Sequence, residues 1–357
     1  MQILINIIVT FVLMFWPVMF MMSPMMFDAP GSDNNKSQLV TMMLILCYPI
    51  GLFLLLWIFG GSYFGFSGLK LAIISAVVIV FAYTVFGYFG MLFNLQKGIA
   101  NTGYSVVDNH VYYDGKIIEA ADGASFDTVD DEENPYTASD YALDKDHLYY
   151  SGKIVEGAFI DELKKVTVNR DTHWINKTQV IYNGNIMPGA NPGDFGGFEG
   201  FAGWTHSMNN DQYLVFSYGV PLPAVDKATF TPLNDFIAKD NQHIFEKHKP
   251  ILTEADAATF ELLDDHDFGK DKNYIYYLAT KLPFAVKGVD VASFEILERG
   301  YLKDKNSVYI VHQYESIEKL EQVDVDSFEA TQYDDINKSE ARDANHYYYD
   351  GKVVGDR

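Results

Sequence analysis

The sequence is poor in cysteine and in basic residues, and each shortage excludes a class of function. Its only cysteine, Cys47, lies within an apolar stretch, so the rest of the chain has no disulfide, no thiol nucleophile and no thiolate metal site. Lys and Arg number 26 against 48 Asp and Glu, and the formal net charge is −22. Because such a surface repels phosphate backbones, we expect no nucleic-acid partner.

Charged residues are scarce in the first 97 positions, and three long apolar runs fill this part of the chain. The runs cover residues 1–27, 38–60 and 70–95, and each reaches the roughly 20 residues that cross a bilayer. The first run lacks the basic start and the cleavage site of a secretory signal. The sequence therefore predicts three transmembrane spans, with the membrane itself as a partner.

The orientation of these spans is predicted from the basic residues near their ends. The loop 28–37 carries Lys36 beside two acids, whereas the loop before the third run ends at Lys70 without an acid. The positive-inside rule then puts the second loop in the cytoplasm and the C-terminal part of the chain outside it. Lys97 argues for the reverse, so both orientations stay open, with the outward one preferred.

Two short phrases recur from residue 98 to the end of the sequence. The first opens with Asp and closes on an apolar residue and aromatics, as in residues 271–277, and the second places Asp four positions before Phe, as in 290–294. Self-similarity at a fixed period of this size is typical of a tandem-repeat domain. We count seven full units and a terminal half unit at 343–355. The apolar residue of the first phrase lies at Val111, Leu148, Val180, Leu214, Ile244, Ile275, Val308 and Tyr347, and the residue that closes the second lies at Phe126, Leu163, Phe195, Phe230, Phe260, Phe294 and Phe328.

Within each unit, the first phrase predicts a β-hairpin and the second predicts a short helical turn. In several units a pair of turn residues ending in Gly separates two β-prone runs, and such a pair suits the positive φ angles of a type I′ turn. In the second phrase the leading Asp can accept hydrogen bonds from backbone N–H groups two and three residues on. The turn pairs are Asp114-Gly115, Ser151-Gly152, Asn183-Gly184 and Asp350-Gly351, and the capping residues are Asp122, Asp226, Asp256, Asp290 and Asp324, with Asn191 in the third unit.

The first phrase, seen as Asp271-Lys272-Asn273 followed by Tyr276-Tyr277, resembles the DKNYY family, and the resemblance covers about residues 104–355. The phrase departs most in the third and fourth units, which open it at residues 176–178 and 210–212. What the resemblance implies is a bacterial, cell-envelope-associated repeat protein without an established activity. It carries over no catalytic residues.

The predicted fold is an N-terminal three-helix transmembrane region, residues 1–97, followed by a mostly-β tandem-repeat domain, residues 98–357. Each repeat would bury its apolar face only against its neighbours, which favours a solenoid-like array of stacked hairpins. A closed, propeller-like ring is the alternative, although propeller repeats usually run to about 40–50 residues.

Two sets of aromatic residues are the candidate ligand-binding positions. One is a ladder of strand tyrosines that, if exposed, would stack on sugars or peptides, although packing usually explains strand aromatics. The other lies in the glycine-rich segment 189–204, where aromatics either line a pocket or cover the core of a loosened connection. The tyrosines are Tyr112, Tyr149, Tyr276 and Tyr309, and the aromatics of the segment are Phe198, Phe201 and Trp204.

The sequence carries no motif for catalysis, for a cofactor or for a metal ion. A Gly-x-Ser-x-Gly elbow, a phosphate-binding glycine loop and a His-Glu-x-x-His helix are all absent. Acidic runs at residues 130–133, 264–267 and 334–335 predict solvated loops, with weak Ca²⁺ sites as the alternative. We therefore predict no catalytic residue, no cofactor and no metal ligand.

These features favour a membrane-tethered, non-catalytic binding or scaffolding protein of the bacterial cell envelope. It would lie in the inner (cytoplasmic) membrane with a periplasmic repeat domain, and its partner would be an envelope protein or a glycan. The alternative is a carboxylate-dependent hydrolase acting on envelope glycans, since glycosidases need only two carboxyl groups at a suitable separation. A transport accessory is a third possibility. The interiors of the apolar runs contain no charged residue that would mark an ion pathway, which argues against it.

Overall fold

The structure, a computed structural model, describes residues 2–29, 31–129, 140–263, 267–312 and 316–357. The chain divides into two compact units, Met1–Leu163 with Asn183–Ile186, and Lys164–Tyr182 with Met187–Arg357. The first unit contains the helices and the first two β-sheets, and the second contains the sheets that follow.

In the described part of residues 2–97 there are five α-helices, and they are apolar along most of their length. Two stretches are long and apolar enough to cross a membrane, Gln2–Phe27 and Gly68–Val85, and a bent pair of helices adds a third if the pair forms one span. The helices are α1 (Gln2–Met22), α2 (Lys36–Leu46), α3 (Tyr48–Ile58), α4 (Gly68–Val85) and α5 (Tyr88–Gln96), with 3-10 turns at Ser23–Phe27 and Ser32–Asn34 and a small hairpin, Ser62–Tyr63 with Phe66–Ser67.

The second and third apolar runs are not the continuous helices that the sequence predicts. Helices α2 and α3 meet at Cys47 with a bend of 43°, because Pro49 at the start of α3 has no N–H to continue the hydrogen-bond ladder. The Trp16 indole N–H donates to the carbonyl of Leu46 at 2.8 Å, and the Tyr83 hydroxyl donates to that of Met43. Side chains of other helices thus satisfy carbonyls beside the break, as an apolar environment requires.

The third run breaks for a different reason. Helix α4 ends at Val85, and Gly87 then adopts a φ of 77°, which places it in the left-handed region that favours glycine. Helix α5 begins at Tyr88, so the predicted span 70–95 is shortened to the 18 residues of α4.

From Tyr104 onward, the described residues form a series of small antiparallel sheets, each with its strands in sequence order. A typical sheet has two longer central strands and two short outer ones. Sheet 1 contains Tyr104–Val107, His110–Tyr113 and Lys116–Ile117, and sheet 2 contains Asp127–Thr128, Tyr141–Leu143, Leu148–Tyr150 and Lys153–Ile154. In the second unit, sheet 3 contains Lys164–Val168, Asp171–Ile175 and Val180–Tyr182, whereas the strand Asn185–Ile186 is counted with the first unit.

The five remaining sheets each have four strands. Sheet 4 contains Gly196–Gly197, Trp204–Asn209, Gln212–Ser217 and Val220–Pro221, and sheet 5 contains Thr231–Pro232, Ile237–Lys239, Ile244–Glu246 and Lys249–Ile251. Sheet 6 contains Glu261–Leu262, Phe268–Lys270, Ile275–Tyr277 and Phe284–Val286, and sheet 7 contains Glu295–Ile296, Tyr301–Lys303, Val308–His312 and Ser316–Lys319. Sheet 8 contains Glu329–Asp334, Ser339–Arg342, His346–Tyr349 and Lys352–Asp356.

The mostly-β repeat is confirmed, but each unit has more strands than the hairpin that the sequence predicts. The predicted hairpin supplies the third and fourth strands of a sheet, as Leu148–Tyr150 and Lys153–Ile154 do in sheet 2. A strand before the first phrase and a two-residue strand after the closing Phe complete it. Among the described residues no sheet closes into a barrel, and the choice between a solenoid and a ring stays a prediction.

The predicted turn pairs have the backbone that a type I′ turn requires. Both central residues have positive φ, with values of 48° and 73° at Asp114 and Gly115 and of 47° and 75° at Ser151 and Gly152. The glycine also packs against the preceding sheet, since a Cβ at Gly152 would lie 2.6 Å from the ring of Tyr113. One side-chain atom at this point would therefore push two sheets apart.

Candidate binding site

The two repeated phrases meet at a buried carboxylate. Asp271, which opens the first phrase of sheet 6, is 3% exposed. One of its oxygens accepts from the N–H groups of Asn273 at 2.7 Å and Tyr274 at 2.8 Å. Its other oxygen accepts from the N–H of Asp256 at 2.7 Å and from the Tyr276 hydroxyl at 2.8 Å. A single carboxylate thus joins the hairpin to the helical turn that precedes it, and we call this arrangement the Asp clasp.

The same clasp recurs along the chain. In each case one oxygen accepts from the N–H groups two and three residues on, and the other accepts from the N–H of the capping Asp of the preceding phrase. The clasp residues are Asp144, Asp240, Asp271, Asp304 and Asp343, and their partners are Asp122, Asp226, Asp256, Asp290 and Asp324. Each clasp residue is at most 5% exposed, so the Asp of the first phrase holds the fold together.

Hydrogen bonds keep the buried carboxyls of Asp144, Asp240, Asp271 and Asp343 ionised. Burial alone would raise their pKa, but donors from the backbone and from tyrosine outweigh it and hold the pKa of Asp144, Asp271 and Asp343 below the usual range. At Asp240 the same backbone donors act together with His243 instead of a tyrosine. A carboxylate in this state accepts hydrogen bonds well and has no proton to donate.

Three of the four tyrosines in the predicted ladder are buried, whereas stacking on a ligand requires an exposed ring. Tyr149, Tyr276 and Tyr309 are 0%, 3% and 5% exposed, and each directs its hydroxyl to the clasp carboxylate five residues earlier. Tyr112 is half-buried. The rings that face a clasp carboxylate therefore belong to the core, and ligand binding by these residues stays a prediction.

The predicted caps are confirmed in most units. Asp122, Asp226, Asp256 and Asp290 each accept a hydrogen bond from a backbone N–H two or three residues on, at 3.0–3.3 Å, and Asn191 accepts from the N–H of Gly193 at 3.1 Å. Among the described residues, the Asp324 carboxylate accepts no such bond. There the Ser327 hydroxyl donates to the carbonyl of Asp324 at 3.5 Å.

In three units a lysine forms a second link between the two phrases, an ion pair with the capping Asp. The residue after the clasp Asp pairs with the capping Asp at 3.0 Å for Lys145 with Asp122 and at 2.7 Å for Lys305 with Asp290. Lys272 pairs with Asp256 in the same way. These lysines are mostly exposed, so each pair adds little to stability.

The aromatics of segment 189–204 cover the core of sheets 4 and 5. Trp204 is fully buried, and its indole N–H donates to the carbonyl of Asn234 at 2.8 Å. Phe198 and Phe201 are half-buried and pack on the same apolar cluster. The geometry favours the competing interpretation, a connection whose aromatics cover the core, and ligand binding at Phe198, Phe201 and Trp204 stays a prediction.

A cavity that the sequence did not indicate lies between the fourth strands of sheets 6 and 7. Its volume is about 440 Å³, which falls in the range of small-ligand pockets. Its wall is formed by the strand Phe284–Val286 with the next two residues, and by side chains of sheet 7. The lining residues are Phe284, Ala285, Val286, Lys287, Gly288, Tyr309, Ile317 and Lys319.

Two of the three acidic runs fall largely outside the described residues. Residues 130–133 and 264–266 are not described. At the third run, Asp334 accepts from the N–H of Ile336 at 2.8 Å and from the side chain of Asn337 at 2.7 Å, which makes it a turn cap. In the described part of the chain no three His, Cys, Asp or Glu side chains are placed to hold a metal ion, so the Ca²⁺ hypothesis gains no support.

Comparison with known proteins gives one match. The model of the DKNYY family matches residues 104–280 and again residues 208–352. No curated protein and no solved structure matches the chain.

Proposed function

This chain belongs to the DKNYY family, and from that premise we propose that it is a membrane-tethered binding or scaffolding protein of the bacterial cell envelope that catalyses no reaction. The observation that carries the proposal is the Asp clasp. In five units the carboxylate that opens the first phrase is buried and accepts hydrogen bonds from backbone N–H groups, which supports a structural role for the phrase.

The contacts of the helical region support three membrane crossings. The loop between the first two spans is joined to the start of sheet 1, since the Asn34 side chain accepts from the N–H of Asn101 at 2.6 Å and donates to the carbonyl of Thr102 at 3.1 Å. At the other end, Gln2 donates to the carbonyl of Ser62 at 2.5 Å. Loop 28–35 and sheet 1 then share one side of the membrane, and the N-terminus and the small hairpin share the other.

This pairing of ends supports a broken span over a re-entrant loop. If α2 and α3 entered and left on the same side, loop 28–35 and the small hairpin would lie together and sheet 1 would lie opposite. The hydrogen bonds of Asn34 and Gln2 favour the reverse pairing. We infer that α2 and α3 form one broken span, and the preferred outward orientation then places the sheets in the periplasm.

A cysteine-accessibility experiment tests the tether. In a Cys47→Ser background, single cysteines at Ser32, Phe64 and Glu119 are labelled in sealed membrane vesicles with an impermeant maleimide. We expect the cysteines at 32 and 119 to react from the same side and the cysteine at 64 from the other side. Labelling of 32 and 64 from one side, with 119 opposite, would refute the three-crossing arrangement.

A photocrosslinking experiment tests binding. Leu282 is 81% exposed two residues before Phe284, which lines the cavity between sheets 6 and 7, and Ile336, at 90%, is a matched control between the first two strands of sheet 8 that does not line it. A photoreactive residue at 282 in the full chain in membranes should give a discrete crosslinked product that excess unmodified protein suppresses. A product equally strong from 336, or none from either, would contradict a binding role for this face.

The carboxylate-dependent hydrolase is the weaker interpretation. A glycosidase needs one carboxyl group whose pKa is raised so that it can donate a proton. Burial raises the pKa of Asp144, Asp271 and Asp343, but their hydrogen bonds lower it by more, so the pKa of each lies below its usual value. Release of reducing sugar from a panel of envelope polysaccharides by the purified full chain would reverse this ranking.

A further inference from the structure

The cavity between sheets 6 and 7 has an unusual charge for this chain. Two of its lining residues, Lys287 and Lys319, are lysines, and no described lining residue is acidic. The chain as a whole has 48 acidic against 26 basic residues. A chance patch of this surface would therefore be expected to hold more carboxylates than ammonium groups.

Neither lysine has a partner among the described residues, unlike the lysines of the clasps. Lys272 and Lys305 pair with the capping Asp of their own phrase, whereas both cavity lysines are exposed and form no ion pair or side-chain hydrogen bond. Glu318, next to Lys319 in the strand, pairs with His312 at 3.1 Å. Within the described parts of the chain, no carboxylate competes with a bound anion for these two ammonium groups.

The remaining wall of the cavity is mainly apolar. Phe284 and Ile317 are half-buried, and Val286 is buried. Tyr309 lies in the wall, with its hydroxyl 3.3 Å from the carbonyl of Gly288 and 3.4 Å from the Asp304 carboxylate, so the two oxygens share one donor. A ligand that fits this wall has both an anionic group and an apolar group. Such a ligand is less polar than an acidic sugar.

We propose that this cavity binds a carboxylate that carries an apolar group, as the C-terminal residue of a partner protein's chain does. Lys287 and Lys319 hold the carboxylate, and Phe284, Val286 and Ile317 contact the apolar side chain. The proposal rests on the proposed binding function and names the chemistry of its ligand. An acidic glycan, the other class of envelope ligand, is an outcome of the test.

The test is a ligand-observed NMR titration of the full chain in nanodiscs with N-acetyl-leucine. For a ligand of this size we expect a Kd on the order of 1 mM. N-acetyl-leucinamide, which has the same shape without the charge, should bind at least about fivefold more weakly, because it lacks the charge-assisted hydrogen bonds. Glucuronate and inorganic phosphate serve as anions without the apolar group and should also bind more weakly.

Matched lysine variants locate the site. Lys287→Gln and Lys319→Gln should each weaken N-acetyl-leucine binding by about fivefold. Lys249→Gln is the control, because Lys249 is an exposed lysine on the fourth strand of sheet 5 that does not line the cavity. All three positions are exposed, and equal melting temperatures of the variants and the unmodified chain confirm that they fold.

Each other outcome overturns part of the proposal. Equal binding of N-acetyl-leucine and its amide, or unchanged affinity in both cavity variants, would remove the role of the lysines. Glucuronate binding that both variants lose, without binding of N-acetyl-leucine, would replace the peptide carboxylate with an acidic glycan. If no probe binds while the crosslinked product from position 282 persists, this inference fails and the proposed function stands, and loss of both refutes the two together.

Discussion

Replacing Asp271 with Asn tests whether the clasp carries the stability of a repeat. The substitution keeps the shape of the side chain and retains one acceptor oxygen, which suffices for the N–H groups of Asn273 and Tyr274. The second oxygen becomes an amide nitrogen that faces the N–H of Asp256, a donor at 2.7 Å. A charge-assisted hydrogen bond is lost, and a buried donor is left facing another donor.

The magnitude follows from the burial of the site. Asp271 is 3% exposed, so water cannot readily replace the lost acceptor. Hydrogen bonds to charged groups contribute about 1.5–3 kcal/mol, and a buried unsatisfied donor costs about 1–3 kcal/mol. The Tyr276 hydroxyl can rotate to find another acceptor, which limits the loss. We expect Asp271→Asn to lower the local free energy of unfolding by about 3 kcal/mol.

Hydrogen exchange measured by mass spectrometry is the appropriate assay, because a repeat array does not unfold as a single two-state unit. The amides of Asp256, Asn273 and Tyr274 should exchange on the order of 100-fold faster in the variant. Asp326→Asn is the matched control, since Asp326 is exposed and has no clasp. If the two variants exchange alike over residues 254–280, the clasp does not stabilise the repeat and the reasoning is wrong.

Three further predictions follow from the same contacts. Tyr276→Phe removes one hydroxyl from the clasp and should lower the local free energy of unfolding by about 1 kcal/mol. Tyr274→Phe, at a half-exposed position, should leave hydrogen exchange over residues 254–280 unchanged. Gly152→Ala adds a Cβ 2.6 Å from the Tyr113 ring at a positive φ, and it should lower the free energy of unfolding by about 3 kcal/mol or more. Gly200→Ala is the control, because φ is also positive there but the space is open, and it should cost about 1 kcal/mol. Because hydrogen bonding lowers the folded-state pKa of Asp271, its stabilisation is fully present above the unfolded value of about 4 and is lost as the pH falls through the lower folded value. The exchange difference between Asp271→Asn and the unmodified chain should therefore stay constant from about pH 8 to 5 and shrink below about pH 4, and a difference that already shrinks at pH 6 would contradict this assignment.

Features that depend on a few neighbouring residues could be predicted from the sequence. The turn at Asp114-Gly115 and the cap at Asp290 are set by φ preferences and by side chains that reach only two or three residues along the chain. The recurrence of Asp at the start of the first phrase was also visible, and it was the signal for the clasp. Its partner lies 14 to 22 residues away, so its role could not be read from local spacing.

Other features escaped prediction because they exist only through tertiary contacts. The outer strands, such as Asp127–Thr128, are two residues long and have no alternating pattern of their own, so only pairing with the next strand makes them strands. The break at Cys47 depends on whether other helices supply donors, as Trp16 does for Leu46. The cavity beside Lys287 is made by two sheets together.

The sequence by itself determined the apolar N-terminal region, the period of the repeats, the turns and the caps, because each is encoded in composition or in contacts between near neighbours. Only the tertiary structure decided that the repeated Asp is buried, that Tyr149, Tyr276 and Tyr309 face it, and that Trp204 fills a core. The physical reason is that a strand side chain can point to either face of its sheet, and the sequence near it does not fix which face is buried. Packing and hydrogen bonding against a segment far along the chain determine which face is buried.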